Sequence, residues 1–183
     1  MKFFRDKLYE DITIPAPPKD DIGEAAEVKR LIANRTAEQD KSIADHDEVP
    51  FYAIKKYCDD NKMVFHKDEF KDIIYQATDT INYFKDKFDR KRPIEIDKTL
   101  DTSPSKTNKT PSYPSGHAAQ SRLVARYVGG KFPEHEANLI EAGNECGYGR
   151  VLAGFHYPSD YEAGNLLGEK MYKLMNKENY IKE

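Results

Sequence analysis

Residues 67–91 read Lys-Asp-Glu-Phe-Lys-Asp-Ile-Ile-Tyr-Gln-Ala-Thr-Asp-Thr-Ile-Asn-Tyr-Phe-Lys-Asp-Lys-Phe-Asp-Arg-Lys. Phe70, Ile73, Ile74, Ala77, Ile81, Phe84 and Phe88 recur at steps of three and four, the period at which one helix face meets a core. Pro93 marks the end of that helix. On either side the same period returns. Residues 21–45, 48–60, 115–128, 133–152 and 160–175 each read as helix, with Pro50 in the first turn of the second and Gly129-Gly130 closing the third. No alternating strand pattern of any length interrupts them. The chain is therefore predicted to be all-α, one domain spanning 21–183 built as a bundle of about six helices. Residues 1–20, with Pro15, Pro17 and Pro18, read as an extended N-terminal arm. Between Ile94 and Tyr113 lies a stretch rich in Thr, Ser, Lys and Pro, longer than most structureless loops of compact domains.

Composition narrows the class. The 183 residues are 38% hydrophobic and 33% charged, against about 25% charged in an average globular protein. Twelve Tyr and nine Phe argue against disorder, because disordered chains are poor in aromatics. Mean hydropathy is -0.83, and no run approaches the ~20 apolar residues of a spanning helix. The start, Met1-Lys2-Phe3-Phe4-Arg5, meets charge at once and lacks the apolar core of an export signal, so a soluble, cytoplasmic protein without a membrane partner is expected. A net charge of -3 gives no support to nucleic-acid binding. Cys58 and Cys146 are too few for a Cys-based zinc site and form no CxxC pair, and both read as partly buried small side chains. His46, His66 and His135 read as surface residues, and Asn176–Glu183 as a fraying end.

Three clusters carry chemistry. Lys85 and Arg92-Pro93 are seven residues apart, two helical turns, so both cations face one side about 10 Å apart along the axis. Alone they read first as a solvated basic face beside Lys87, Arg90 and Lys91. Pro114-Ser115-Gly116-His117 precedes a helix. Its free N–H groups suit a phosphate-like anion, Gly116 lets backbone approach a ligand, and His117 can pass protons. The plainer reading is a Ser-capped helix with a chance histidine. Arg150, His156 and Asp160 form the third. Gly154 and Pro158 break the helix, so His156 sits on a loop with Asp160 in the next helix's first turn. There Asp160 accepts from Nδ1–H and leaves Nε2 free as a nucleophile. Taken alone, His156 reads as a satisfied surface histidine. Together the clusters supply three cations, an N–H cradle, two histidines and one orienting carboxylate.

The order Lys-x6-Arg-Pro, Pro-Ser-Gly-His, Arg-x5-His-x3-Asp resembles the type 2 phosphatidic acid phosphatase superfamily, which includes bacterial class A non-specific acid phosphatases and vanadium haloperoxidases. The likeness to the class A enzymes is the closer. It runs through Lys85–Pro93, Ser112–His117, Gly149–Asp160 and Ala163-Gly164, with Pro15–Pro18 and Asn34-Arg35-Thr36 upstream. The resemblance implies a metal-independent acid phosphatase acting on water-soluble phosphomonoesters through a phosphohistidine. His156 would be the nucleophile, Asp160 its orienting acid and His117 the general acid and base. Lys85, Arg92, Arg150 and the backbone and hydroxyl of Ser115-Gly116 would hold the phosphoryl oxygens. No cofactor or metal is implied, since the three cations take a metal's place. Vanadate enters as an inhibitor, or as the cofactor in the alternative reading of a vanadate-dependent peroxidase. A non-catalytic phosphate-binding protein that kept the fold is the third reading. The expected partner is a small phosphate ester, and related enzymes often self-associate and are periplasmic. His156 is expected neutral and His117 protonated, giving a bell-shaped pH profile on the acid side. One departure is Gly149, where the family usually has Ser, which predicts weaker support for Arg150.

Overall fold

The computed structural model describes residues 2–64 and 67–175, so the readings made for His66 and for 176–183 lie outside it. Every regular element among the described residues is helical. In chain order they are α1 (Asp21–Ala33), α2 (Ala37–His46), α3 (Tyr52–Asp60), α4 (Lys67–Phe88), the single turn α5 (Pro93–Ile96), α6 (Gly116–Lys131), α7 (Glu136–Leu152) and α8 (Pro158–Leu174). Short 3-10 turns occupy Leu8–Asp11 and Pro133–His135.

On α4 the expected face is buried: Phe70, Ile73, Ala77, Ile81 and Phe84 enter the main core, while Tyr75 on the opposite side is 81% exposed. The arm joins this core rather than standing clear of it. Phe3, Phe4, Leu8, Ile12 and Ile14 are buried there, and the Tyr113 hydroxyl donates to the Pro15 carbonyl at 2.7 Å.

Helix α6 is the centre. It packs against α7, α8 and α4, and its contact residues are small: Ala118, Ala119, Ser121 and Ala125, all buried. Small residues let neighbouring backbones come close. A Cβ on Gly164 of α8 would lie 2.5 Å from the Ser115 carbonyl oxygen, so only glycine permits this approach. A second, smaller core of Ala25, Val28, Leu100, Val151 and Tyr157 seats α1 against α7 and the start of α8.

Three helix boundaries differ from the sequence reading. Residues 21–45 form two helices, because Thr36 takes a capping box with Gln39 and starts α2 afresh. Pro93 opens α5 at its first position instead of closing α4, which ends at Phe88, before Asp89 with φ +42°. Gly129-Gly130 does not end α6, which runs on to Lys131. At Gly129 the Glu136 side chain packs where a Cβ would stand, 2.8 Å from Glu136 Cγ, so the glycine serves a close helix contact. Cys58 and Cys146 are free and fully buried. Burial pushes their thiols up to about 11 and about 12.

Candidate active site

The loop that sequence breaks predict after α7 is built by Gly154. Its φ of +82° belongs to the left-handed region, which glycine enters without a Cβ clash. The turn is closed by Gly154 N–H to the Val151 carbonyl at 2.9 Å and Phe155 N–H to the Arg150 carbonyl at 3.1 Å. One short turn thus fixes both Arg150 and His156. Asp160 stands in the first turn of α8, and its Oδ2 accepts the Tyr157 N–H at 3.0 Å. The same oxygen lies 3.1 Å from His156 Nδ1. An ionised carboxylate only accepts, so Nδ1 carries the proton and Nε2 is the bare nitrogen. Nε2 faces the Arg92 guanidinium, 3.4 Å from Nη1.

Around that nitrogen lies a cavity of about 280 Å³ lined by Lys85, Arg92, Gly116, His117, Arg150 and His156. Its lining also includes Thr78, Asn82, Asn108 and Gln120, with Pro50, Ile74 and Ile81. Lys85 donates to the Pro111 carbonyl at 2.5 Å. Arg92 is pinned by the Thr110 and Phe155 carbonyls at 2.8 and 2.9 Å. The structure therefore brings together six of the predicted site residues on the cavity wall, and places Asp160 directly behind His156.

Ser115 sits one layer back. It is fully buried, its hydroxyl caps α6 by accepting Ala118 N–H, and its own N–H is given to the Asp160 carbonyl at 3.0 Å. Gly116 and His117 begin α6, and the first N–H groups of a helix have no partner within it. N–H groups of this kind suit an anion.

Three residues that the sequence reading passed over organise this site. Asp47 follows α2, and its carboxylate takes Arg150 Nη1 at 2.9 Å, Ser105 Oγ–H at 2.5 Å and Lys106 N–H at 2.9 Å. Its carbonyl accepts from His117 Nε2 at 2.9 Å, which assigns the proton to Nε2 and leaves Nδ1 unprotonated in the neutral ring. Arg150 Nη2 also reaches Thr107 Oγ1 at 3.0 Å. Its buried Nε–H has no hydrogen-bond acceptor among the described residues. Ser112 donates to Asp160 Oδ2. Arg90, read as part of a solvated face, is buried and donates to Asp160 Oδ1 at 2.7 Å. Helical periodicity holds no signal for these contacts, since they join segments far apart in the chain. His46, read as a surface residue, is also buried. It lies between the Ser42 carbonyl at 2.8 Å and the Ala53 N–H at 3.2 Å, one donated and one accepted bond, which together hold the ring neutral.

Electrostatics follow from this packing. Burial, then Arg92, Lys85 and Arg150, hold His156 well below its ordinary range and so neutral. Burial and Arg92 push Lys85 down to about 7, and burial takes Arg92 down to about 10. Burial acts against Asp47, but Ser105, Lys106 and Arg150 still hold it at about 2. His117 departs from expectation. Burial and Arg150 push it down to about 3, so the protein's own field keeps it neutral rather than protonated. Only an added negative charge beside it would raise it again. Burial raises the Asp160 carboxyl against the pull of Ser112, Arg90 and the Tyr157 N–H. All of its contacts are donors, so the site holds it as a carboxylate.

Comparisons with known proteins fit this geometry. A family model described as PAP2 superfamily matches residues 73–177, which contain all three clusters. The chain is similar to an acid phosphatase of Zymomonas mobilis subsp. mobilis, 34% identical over 92 residues, 49% of this chain and 35% of that enzyme. It is similar to a non-specific acid phosphatase of Salmonella typhi, 44% identical over 57 residues, 31% of this chain and 23% of that enzyme. It thus spans about a third or less of the length of these relatives. In fold it is similar to the transmembrane PAP2 type phosphatidylglycerolphosphate phosphatase from Bacillus subtilis. That likeness has a TM-score of 0.60 at 16% identity and covers 91% of this chain and 90% of that one. No described helix of the present chain is long and apolar enough to cross a membrane.

Proposed function

The chain belongs to the PAP2 superfamily, and from that premise we propose that it hydrolyses phosphomonoesters through a phosphohistidine on His156. The observation that carries this reading is His156 with Nδ1 tied to Asp160 and Nε2 facing Arg92 in a cavity walled by Lys85 and Arg150. A histidine that only packs or binds has no need of a buried orienting carboxylate aimed to bare its second nitrogen.

In this mechanism Nε2 attacks phosphorus in line with the ester oxygen. The N–P bond forms as the P–O bond breaks, and the departing alkoxide takes a proton from His117. His117 enters charged by the substrate dianion beside it, and its Nδ1 is the donor because Nε2 is held by the Asp47 carbonyl. In the second half the neutral His117 takes a proton from water as its oxygen attacks the phosphohistidine, releasing phosphate. Lys85, Arg92, Arg150 and the N–H groups opening α6 neutralise the equatorial oxygens. These cations supply the positive charge that a metal supplies in other phosphatases, so no metal is needed. Vanadate, with phosphate's charge and shape, is expected to inhibit competitively.

The amides of Asn82, Asn108 and Gln120 in the lining, beside Pro50, Ile74 and Ile81, support a hydrogen-bonding leaving group, and with it water-soluble esters. The test is turnover of p-nitrophenyl phosphate by wild type and His156→Ala. Wild-type activity that survives a chelator and falls to background in the variant is expected. Retained turnover in His156→Ala overturns the mechanism, and activity lost to the chelator overturns its metal independence.

A further inference from the structure

We propose that Arg90 is a positioning residue for the His156–Asp160 pair, and that helix α1 holds it in place. The proposal rests on the phosphatase reading above. Arg90 lies between α4 and α5 and is 5% exposed. It does not line the cavity, so it touches no substrate. Its Nη1 donates to Asp160 Oδ1 and to Ser159 Oγ, both at 2.7 Å. Its Nη2 donates to Glu24 Oε2 at 2.5 Å and its Nε to Asp21 Oδ1 at 2.9 Å, both on α1. The guanidinium carbon lies 3.9 Å from the Tyr157 ring centroid.

The two oxygens of Asp160 are thereby divided. Oδ2 serves His156, Ser112 and the Tyr157 N–H, while Oδ1 is given to Arg90. A carboxylate held at one oxygen alone rotates about its last bond; a guanidinium on the other oxygen removes that freedom. Arg90 also acts through its backbone, since its carbonyl accepts the Ser112 N–H at 2.8 Å and so places the hydroxyl that meets Asp160. Glu24 closes the other side. Its Oε1 accepts the Ser159 N–H at 3.1 Å and its Oε2 the Ser159 hydroxyl at 2.7 Å. The first helix of the chain is thus clamped to the turn that carries Asp160, through a cation among three carboxylates.

Charge gives the diagnostic. His156 is faced by Asp160 from α8, and by Lys85 from α4, Arg92 just before α5, His117 from α6 and Arg150 from α7. Asp160 is faced by His156, by Arg90, by Lys85 from α4, by Arg92 before α5 and by the Tyr113 and Tyr157 hydroxyls, and Arg90 by Asp21, Glu24 and Asp160. Removing the positive charge of Arg90 leaves Asp160 less neutralised and stabilises imidazolium at His156. The acid limb of kcat/KM, where His156 must lose its proton to attack, then moves up.

The experiment follows p-nitrophenyl phosphate hydrolysis against pH, with inhibition by inorganic phosphate, in wild type, Arg90→Met, Arg90→Lys and Glu24→Gln, and with His156→Ala as control. Arg90→Met is expected to raise the acid limb by about one pH unit. Arg90→Lys keeps the charge and loses the fork, so kcat falls about tenfold or more with the limb in place. Glu24→Gln removes a negative charge beside Arg90, so it lowers kcat without raising the limb. Phosphate Ki stays within about twofold in all three, because none of these side chains touches the ligand. If Arg90→Met does not fold, the split between kcat and Ki in the other two carries the test. Folded Arg90 variants with wild-type kcat and limb overturn the proposal, as does phosphate affinity lost in step with kcat. Turnover retained in His156→Ala overturns instead the reading on which the proposal rests.

Discussion

Lys85 is set to change charge near neutrality. Burial and Arg92 bring its ammonium down to about 7, so it loses its proton as pH rises through neutrality. The cradle then loses one of its three cations, and kcat/KM is expected to fall above about pH 7. In Lys85→Arg the guanidinium stays charged, so that alkaline limb moves to higher pH even where turnover at pH 6 is lower. A pH profile of the two proteins checks this, and an unmoved limb rejects the assignment. Lys85 and Arg92 were legible in the sequence as a pair, but not for the helical reason. Helix α4 ends at Phe88 and Arg92 precedes α5, so the turn between them, not one helix face, brings both to the cavity. Asp47 was not legible. Its partner Arg150 is 103 residues away, and neither residue's neighbours point to the other. Arg90 was misread for a related reason. Its neighbours Lys91 and Asp89 are exposed, and only the chain's return at Asp21, Glu24 and Asp160 buries it.

Two glycines at neighbouring elements make opposite predictions. On α8, Gly164→Ala places a methyl 2.5 Å from the Ser115 carbonyl oxygen, and a backbone carbonyl cannot swing aside. The helices must separate, at a cost of about 2 kcal/mol, read as a lower urea midpoint. Activity falls with it, because α8 carries Asp160 and α6 carries Gly116 and His117. On α7, a Cβ at Gly149 meets only Ile43 Cγ1 at 3.7 Å. Gly149→Ser is therefore accommodated, is expected to gain about 0.5 kcal/mol from helix propensity, and keeps turnover within about twofold. The weaker hold on Arg150 expected from glycine at this position is offset by Asp47, Ser105 and Thr107. The helices themselves were readable because a buried stripe repeats with the helical period. Their ends were less so. Gly129-Gly130 and Pro93 carry the same local signals whether they stop a helix, start one or admit a neighbour, and tertiary packing chooses among these.

Buried histidines link the stability of the whole molecule to pH. Burial lowers His46, His117 and His156 below their ordinary range, so the unfolded chain binds the more protons below about pH 6.5. The stability they contribute is full above that pH and is lost as pH falls. Asp47, held at about 2, adds a loss below about pH 4. Calorimetry is expected to show Tm falling steadily from pH 7 to pH 4. Inorganic phosphate should raise Tm more at pH 6, where Lys85 is charged, than at pH 8.5, where it is mostly neutral; an equal rise at both would count against the cationic cradle. By itself the sequence determined the helical class and the residue types of the cradle, because both are written in short-range spacing. The division of the helices, the placing of the arm in the core, the neutral state of His117 and the support from Arg90, Asp47 and Ser112 were decided only by the tertiary structure. Charge and burial depend on what the rest of the chain brings alongside, and a net charge of -3 gives no hint that three cations share one cavity.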